Sequence, residues 1–162
     1  MLFRSKANIA VTLDCSGSMS CYVGRDRAKT LISECILASW ALGALSKRMK
    51  VGFNASLCLL AREEGYAHSG YSGNLVPLWE GGSPTRPLQT HLRFSPNDGT
   101  HVASYARSAL RLVEEMPRAD HNIAVYMTDG SCSSTYLLQS LSRMAKARNI
   151  HLVGVVMGGV SG

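Results

Sequence analysis

The chain has 162 residues and a formal net charge of +6, with 46% hydrophobic and 17% charged residues. This length and composition suit a single folded domain over residues 1–162 and exclude a disordered tail or a fibrous repeat. No apolar run approaches the roughly 20 residues of a membrane-spanning helix, and the amino terminus lacks the apolar core of a secretory signal. We therefore expect a cytoplasmic protein without a membrane partner.

The predicted elements begin with a strand and a long helix. Residues 7 to 13 form a near-continuous apolar strand that stops at Asp14, as expected for a strand buried on both faces of a parallel sheet. A helix follows over about residues 24 to 46. The residues predicted to face its core recur at steps of four and three: Leu31, Cys35, Ala38, Leu42 and Leu45.

Two strands, an irregular segment and a second helix come next. Residues 51 to 61 alternate as a strand, and residues 75 to 79 predict a shorter one. Prolines and glycines predict irregular structure over residues 80 to 96. The second helix runs from about 101 to 116 and ends before Pro117.

The last part of the chain repeats the alternation, with a strand over 122 to 128, a helix over 133 to 147 and a strand over 150 to 157. Such alternation predicts an α/β domain with a mostly parallel sheet. Ligands of such sheets bind beyond the carboxyl ends of the strands. Three loops near those ends carry oxygen-bearing side chains: residues 14–20, 95–100 and 129–133.

The strand over 150 to 157 is apolar at nearly every position except His151, and only five residues follow it. A strand of this kind needs cover on both faces, so we expect an exposed sheet edge or apolar patch. Self-association, most simply as a two-fold homodimer, or an obligate partner near this strand would cover it.

A cluster of oxygen ligands is predicted after the first strand. Asp14, Ser16 and Ser18 alternate directly behind it, and Thr100 and Asp129 lie in the other two loops. Mg2+ prefers about six oxygen ligands and readily keeps some waters, so these hydroxyls and carboxylates predict a partial shell for a hard cation.

These three loops resemble a known site. The segments Asp14-x-Ser16-x-Ser18, Asp98-Gly-Thr100 and Thr128-Asp129-Gly130 are similar to the three loops of the metal-ion-dependent adhesion site of von Willebrand factor A domains. The resemblance covers about residues 7 to 158. It implies a Rossmann-like von Willebrand A fold, with helices flanking a mostly parallel central sheet that has one antiparallel edge strand.

The resemblance also implies roles and a function. Ser16, Ser18 and Thr100 would contact Mg2+, or Mn2+ or Ca2+, through their hydroxyls, while Asp14 and Asp129 would hold the ion directly or through waters. An ion with mostly neutral inner ligands keeps its positive charge and can accept a Glu or Asp carboxylate from a protein partner. We therefore expect a metal-dependent protein-binding module rather than an enzyme.

Within this family, the intracellular bacterial or phage type is nearest, especially the A-domain subunit of cobalt and magnesium chelatases. Such subunits work beside an AAA+ ATPase ring, which implies a partner of that class. A free-standing minimal domain from a phage or mobile element is the alternative.

Other functions stay open at the level of sequence. The +6 charge permits a nucleic-acid-binding A-domain of the ribonucleoprotein type, although the cations form small clusters rather than one stripe. A hydrolase would use Ser16 or Ser18 as its nucleophile and His101 or His121 as its base, but the Gly-x-Ser-x-Gly elbow is absent. The loop after Asp14 would otherwise be a structural turn held by capping bonds.

The cysteines and histidines give no second metal motif. Five cysteines are present, without a Cys-x-x-Cys pair or a zinc-like Cys/His spacing, so we expect reduced thiols that pack as small apolar groups. A structural zinc or a redox pair is the alternative. Each of the five scattered histidines is expected on the surface or satisfied in the core.

Overall fold

The computed structural model describes residues 7–59, 74–96, 102–130 and 135–157. The strands are β1 Ala7–Asp14, β2 Tyr22–Val23, β3 Asp26–Thr30, β4 Gly52–Leu59, β5 Asn74–Glu80, β6 Ser83–Pro84, β7 His121–Thr128 and β8 Ile150–Val156. The α-helices are α1 Leu31–Met49, α2 Leu88–Leu92, α3 Val102–Glu115 and α4 Thr135–Ala147. A single 3-10 turn, Gly17–Ser20, is described between β1 and β2.

The central sheet has the strand order β6-β5-β4-β1-β7-β8. β1 is parallel to both β4 and β7, and β7 is parallel to β8, whereas β5 runs antiparallel to β4 and β6 antiparallel to β5. This confirms the predicted Rossmann-like α/β fold with a mostly parallel sheet. The antiparallel strand of the prediction is β5, and the two-residue β6 lies outside it at that edge.

β1 is the centre of two apolar layers. Val11 and Leu13 point to the layer that contains α1, while Ala10 points to the layer of α3 and α4. All three are completely buried, as alternation along a strand requires. The Thr12 hydroxyl donates a 2.7 Å hydrogen bond to the Tyr105 carbonyl and so ties α3 to β1. β1 therefore holds Asp14 in a fixed position at the carboxyl end of the central strands.

The start of α1 differs from the prediction of a helix over residues 24 to 46. β2 and β3 form an antiparallel hairpin there, and Gly24 takes the left-handed φ of +61° between them. The helix begins only at Leu31, because the Thr30 side chain accepts the Ser33 backbone N–H and the Ser33 side chain accepts the Thr30 N–H. This reciprocal cap satisfies two backbone donors that a helix start otherwise leaves free.

The predicted inward face of α1 is wrong in the second half of the helix. Three residues expected in the core are exposed: Ala38, Leu42 and Leu45. The helix buries a narrower face there, made of Ser39, Gly43 and Ser46. The reason is Trp79 of β5, whose ring lies so close that a Cβ on Gly43 would be 2.4 Å from it. A small face accommodates this ring, and the apolar face turns to solvent.

The segment over residues 80 to 96 is more ordered than predicted, because it contains β6 and α2. The Thr85 hydroxyl donates to the Pro77 carbonyl at 2.6 Å and fastens the segment to β5. The ring of His91, on α2, packs edge-on against Trp40. The prolines therefore shape a short packed connection.

β8 is an edge strand within the described part of the chain. It pairs with β7 alone, and Val153 and Val156 are 42% and 68% exposed. The expected exposed apolar edge is therefore present among these residues. No helix in the described ranges is long and apolar enough to cross a membrane.

Candidate metal centre

The carboxylate of Asp14 is completely buried at the end of β1. Its Oδ1 accepts a 2.7 Å hydrogen bond from the Ser16 backbone N–H, and its Oδ2 accepts a 2.8 Å bond from the Thr128 hydroxyl. Thr128 ends β7, the neighbouring strand. Two donors from different segments therefore fix both oxygens, and each oxygen keeps a lone pair for a further donor or a cation.

The loop after Asp14 brings two hydroxyls together. The Oγ atoms of Ser16 and Ser18 are 3.0 Å apart. The 3-10 turn that begins after Ser16 and contains Ser18 is closed by a bond from the Met19 N–H to the Ser16 carbonyl, and the Met19 side chain is completely buried. Ser16 is buried and Ser18 is exposed, so the hydroxyl pair faces from the core toward solvent.

Asp129 follows β7 and holds a buried acceptor without a donor. Its Oδ1 is buried and has no hydrogen-bond partner among the residues that the structure describes. Gly130 follows Asp129 and has a φ of +101°, a conformation that favours glycine. A Cβ at this position would also lie only 2.8 Å from the Val156 side chain. A buried acceptor left unsatisfied costs about 1–3 kcal/mol, and more when it is charged, so this oxygen is a candidate ligand.

A groove of about 710 Å³ opens beside these groups. Ser18 and Asp129 both line it, and Glu34 of α1 adds a third acidic or hydroxyl side chain. Tyr22 from the β2–β3 hairpin and Val156 from β8 form apolar walls, 57% and 68% exposed. The polar cluster therefore lies in a depression that is open to a partner.

Four of the five predicted ligands lie at the carboxyl ends of the parallel strands β1 and β7: Asp14, Ser16, Ser18 and Asp129. The fifth, Thr100, lies outside the described residues, as do Asp98, His101 and residues 131 to 134. The described chain resumes at Val102, which packs with Cys58, the residue opposite Asp14 in the register of β1 and β4.

The sequence prediction missed the part played by Thr128. Its hydroxyl bonds the Asp14 carboxylate and also lies 3.4 Å from the Gly130 N–H. A threonine at the end of the strand next to Asp14 is a signal for such a bond, but only once the pairing of β1 with β7 is known. The position of Glu34 in the groove was also missed, because the β2–β3 hairpin, whose Tyr22 forms a wall of that groove, was predicted as helix.

The donor set fits a hard divalent cation. It consists of hard oxygen atoms, two carboxylates and two hydroxyls, and one buried carboxylate oxygen lacks a partner in the described structure. A structural turn alone explains the Asp14 to Ser16 bond but gives no reason to bury Asp129 Oδ1 beside it.

The cysteines behave as small apolar groups. Cys15, Cys35 and Cys58 are buried, and none of the three forms a disulfide with a described residue. Burial raises the pKa of the Cys35 thiol to about 12, and the carboxylates of Asp14 and Glu34 add to the rise. No group of three or more His, Cys, Asp or Glu that could hold a metal occurs in the described ranges. Cys132 lies outside them.

The histidines that the structure describes lie away from the centre. His91 is buried, with Nε2 3.2 Å from the Thr85 hydroxyl, and desolvation followed by the Arg86 charge lowers its pKa. His121 begins β7 at the opposite end of the sheet, about 23 Å from Thr128 at 3.3 Å per residue. His121 therefore cannot serve as a base for Ser16 or Ser18.

The strand order and flanking helices are those of a Rossmann-like von Willebrand A fold. Among solved structures, the chain is similar to the manganese-loaded TRAP protein of Plasmodium vivax, with 18% sequence identity and a TM-score of 0.58. The similarity covers 95% of this chain and 59% of the TRAP chain, and at this identity it shows the fold alone. The sequence matches no protein-family model and no curated protein.

Proposed function

We propose that this chain is a protein-binding module that depends on a divalent cation. Asp14, Ser16, Ser18, Thr100 and Asp129 are the residues that would hold the ion, and a Glu or Asp side chain of a protein partner would complete its ligands. The observation that carries this proposal is the buried Asp129 Oδ1, which has no donor in the described structure and belongs to a residue that lines the same groove as Ser18.

The protein groups have separate tasks in this proposal. Asp14 is held by the Ser16 N–H and the Thr128 hydroxyl, so its carboxyl group has a fixed position behind the site. Ser16 and Ser18 offer neutral oxygens, which leave a bound ion electrophilic toward a further acid. Mn2+ in the TRAP structure of similar fold supports a divalent ion of this kind.

The lining of the groove supports a partner with an acidic residue next to an apolar one. Its polar end holds Ser18 and Asp129, and its walls are Tyr22, Val23 and Val156. An acidic side chain followed by an apolar one would place its carboxylate at the polar end and its apolar group between these walls. The resemblance to chelatase subunits makes an AAA+ ATPase the class of partner to test first.

A peptide experiment tests this function. A randomised peptide library with a fixed central glutamate is bound to the immobilised protein in millimolar Mg2+ or Mn2+, and the same library with glutamine is the matched control. We expect binding of the glutamate library only, and its loss on addition of chelator. Tyr22→Ala should weaken peptide binding while the metal still raises the melting temperature, because Tyr22 is an exposed wall of the groove and is not a proposed ligand.

Other outcomes separate the alternatives. Equal binding of both libraries, or binding unchanged by chelator, would contradict a metal-bridged carboxylate. Binding of an oligonucleotide that is insensitive to chelator and falls steeply with salt would instead support the ribonucleoprotein type, because phosphate contacts release counterions.

A further inference from the structure

The solvent-facing side of α1 is apolar. Its exposed residues are Leu37, Ala38, Ala41, Leu42, Ala44, Leu45, Lys47, Arg48 and Met49. Between Leu31 and Ser46 the only charged residue is Glu34. By contrast, the exposed face of α3 consists of Arg107, Arg111, Glu114 and Glu115. The solvent-facing side of a surface helix is normally polar, so this apolar face of α1 lacks cover within the described chain.

Around Ala41 this face has the half-buried Glu34 at its start and the exposed Arg48 at its end, while Lys47 lies about 100° away around the helix. At about 100° per residue, Glu34, Ala41 and Arg48 fall within about 40° of one another around the helix. Arg48 follows Glu34 by 14 positions, a distance of about 21 Å along the axis. Neither forms an ion pair with another side chain in the described part of the chain. The stripe is therefore negative at its start, apolar in the middle and positive at its end.

We propose that a second copy of this chain covers the face, with the two α1 helices antiparallel about a two-fold axis at Ala41. Antiparallel pairing about that point brings together residues whose numbers sum to 82. Glu34 then meets the partner's Arg48, Leu37 meets the partner's Leu45, and Ala38 meets the partner's Ala44. Two equal ion pairs close the ends of the apolar contact, as a symmetric interface requires.

The side chains favour this arrangement over others. A parallel pair would set Glu34 against the partner's Glu34 and Arg48 against the partner's Arg48. Small residues at the centre, Ala38, Ala41 and Ala44, allow the two helices to approach to about 8 Å. From the sequence we predicted self-association near β8. By contrast, α1 has a stripe that is complementary to itself in both shape and charge.

Charge reversal tests the register. Sedimentation equilibrium of the purified chain at micromolar concentration should give a dimer. Glu34→Arg and Arg48→Glu, each alone, should weaken it about tenfold or more, because each places like charges at both ends of the interface. The double variant should restore it to within about threefold. Lys47→Glu is the matched control, since Lys47 lies about 100° away around the helix and should have little effect.

Cysteine cross-linking gives a second measurement that does not depend on the charge variants. In a Cys21→Ser background, Ala41→Cys lies on the two-fold axis and should form a disulfide dimer readily, whereas Ala44→Cys lies about 9 Å from its own copy along the axis and should not. The proposal is overturned by a monomer at every concentration, by a dimer that ignores both reversals, or by equal cross-linking at the two positions. If Val153→Lys were the only variant to abolish the dimer, the interface would lie at β8 and not at α1. None of these readouts involves metal. Glu34 also lines the groove beside the candidate site, so Arg48→Glu and the two cross-linking variants are the measurements that stay separate from the proposed metal function.

Discussion

Replacing Asp129 by asparagine separates a metal ligand from a structural carboxylate. The substitution keeps the size of the side chain and removes its negative charge. Because Asp129 Oδ1 is buried without a donor in the described residues, the charge costs stability when no ion is present. Asp14 is a poorer probe for this question, since its two hydrogen bonds would be lost together with any metal effect.

Asp129→Asn should have opposite effects on the free energy of unfolding without and with metal. In chelator, Asp129→Asn should leave the free energy of unfolding unchanged or raise it by about 1 kcal/mol, because a neutral amide costs less to bury without a partner than a carboxylate does. For the wild type, an ion at about 100 times its dissociation constant adds about 2.7 kcal/mol. In a domain of this length that corresponds to an increase of about 5–10 °C in Tm. The variant should lose that increase.

Thermal unfolding by circular dichroism, with chelator, Mg2+ or Mn2+, measures both effects. Asp120→Asn is the matched control, because Asp120 is exposed and precedes β7 at the far end of the sheet. It should keep the full response to metal. A wild type that ignores millimolar metal, or an Asp129→Asn variant that keeps the whole increase, would refute the reasoning.

Three further substitutions test the packing described above, each by denaturant unfolding. Gly43→Ala should lower the free energy of unfolding by about 1–3 kcal/mol, because its Cβ collides with the Trp79 ring, and the loss should shrink when Trp79→Leu is present. A loss that persists in that background would point to another cause. Thr128→Val should cost about 1–3 kcal/mol by removing the hydroxyl that donates to the buried carboxylate, whereas Thr128→Ser should cost little. Equal losses would assign the effect to packing. Burial lowers the pKa of His91, so the unfolded chain takes up a proton first as pH falls below about 6.5. The contribution of His91 to the free energy of unfolding should therefore be fully present above about pH 6.5 and decrease as the pH falls toward the lowered pKa of His91 in the folded state. His91→Asn should flatten this decline and the exposed His151→Asn should not; a decline that survives His91→Asn would contradict the assignment.

The fold could be predicted largely from strand patterns. β1 and β7 were placed within a residue, because strands buried on both faces are marked by continuous apolar runs such as Ile9 to Leu13. The start of α1 was wrong because the apolar period was extended backward over the hairpin, although Thr30 and Ser33 form a cap three residues apart. Its inward face was wrong because the more apolar face of α1 is the exposed one, and the Trp79 ring packs against the small face that contains Gly43.

The candidate site was predictable where its ligands follow strand ends. Asp14, Ser16, Ser18 and Asp129 lie where the alternation of strands and helices placed them. The support from Thr128 was not predictable, because it depends on the lateral pairing of β1 with β7, which periodicity along the chain does not specify. Whether Thr100 joins them stays a prediction.

The bond between Asp14 and Thr128 joins residues 114 positions apart in the chain. Such a contact forms only after the central strands have paired, and contacts of this sequence separation are made late and slowly in folding. A cation at this site therefore cannot nucleate the fold, in contrast to zinc in a small finger domain. During synthesis, most of the chain has to be made before the site exists. Metal should then slow unfolding while leaving the refolding rate almost unchanged.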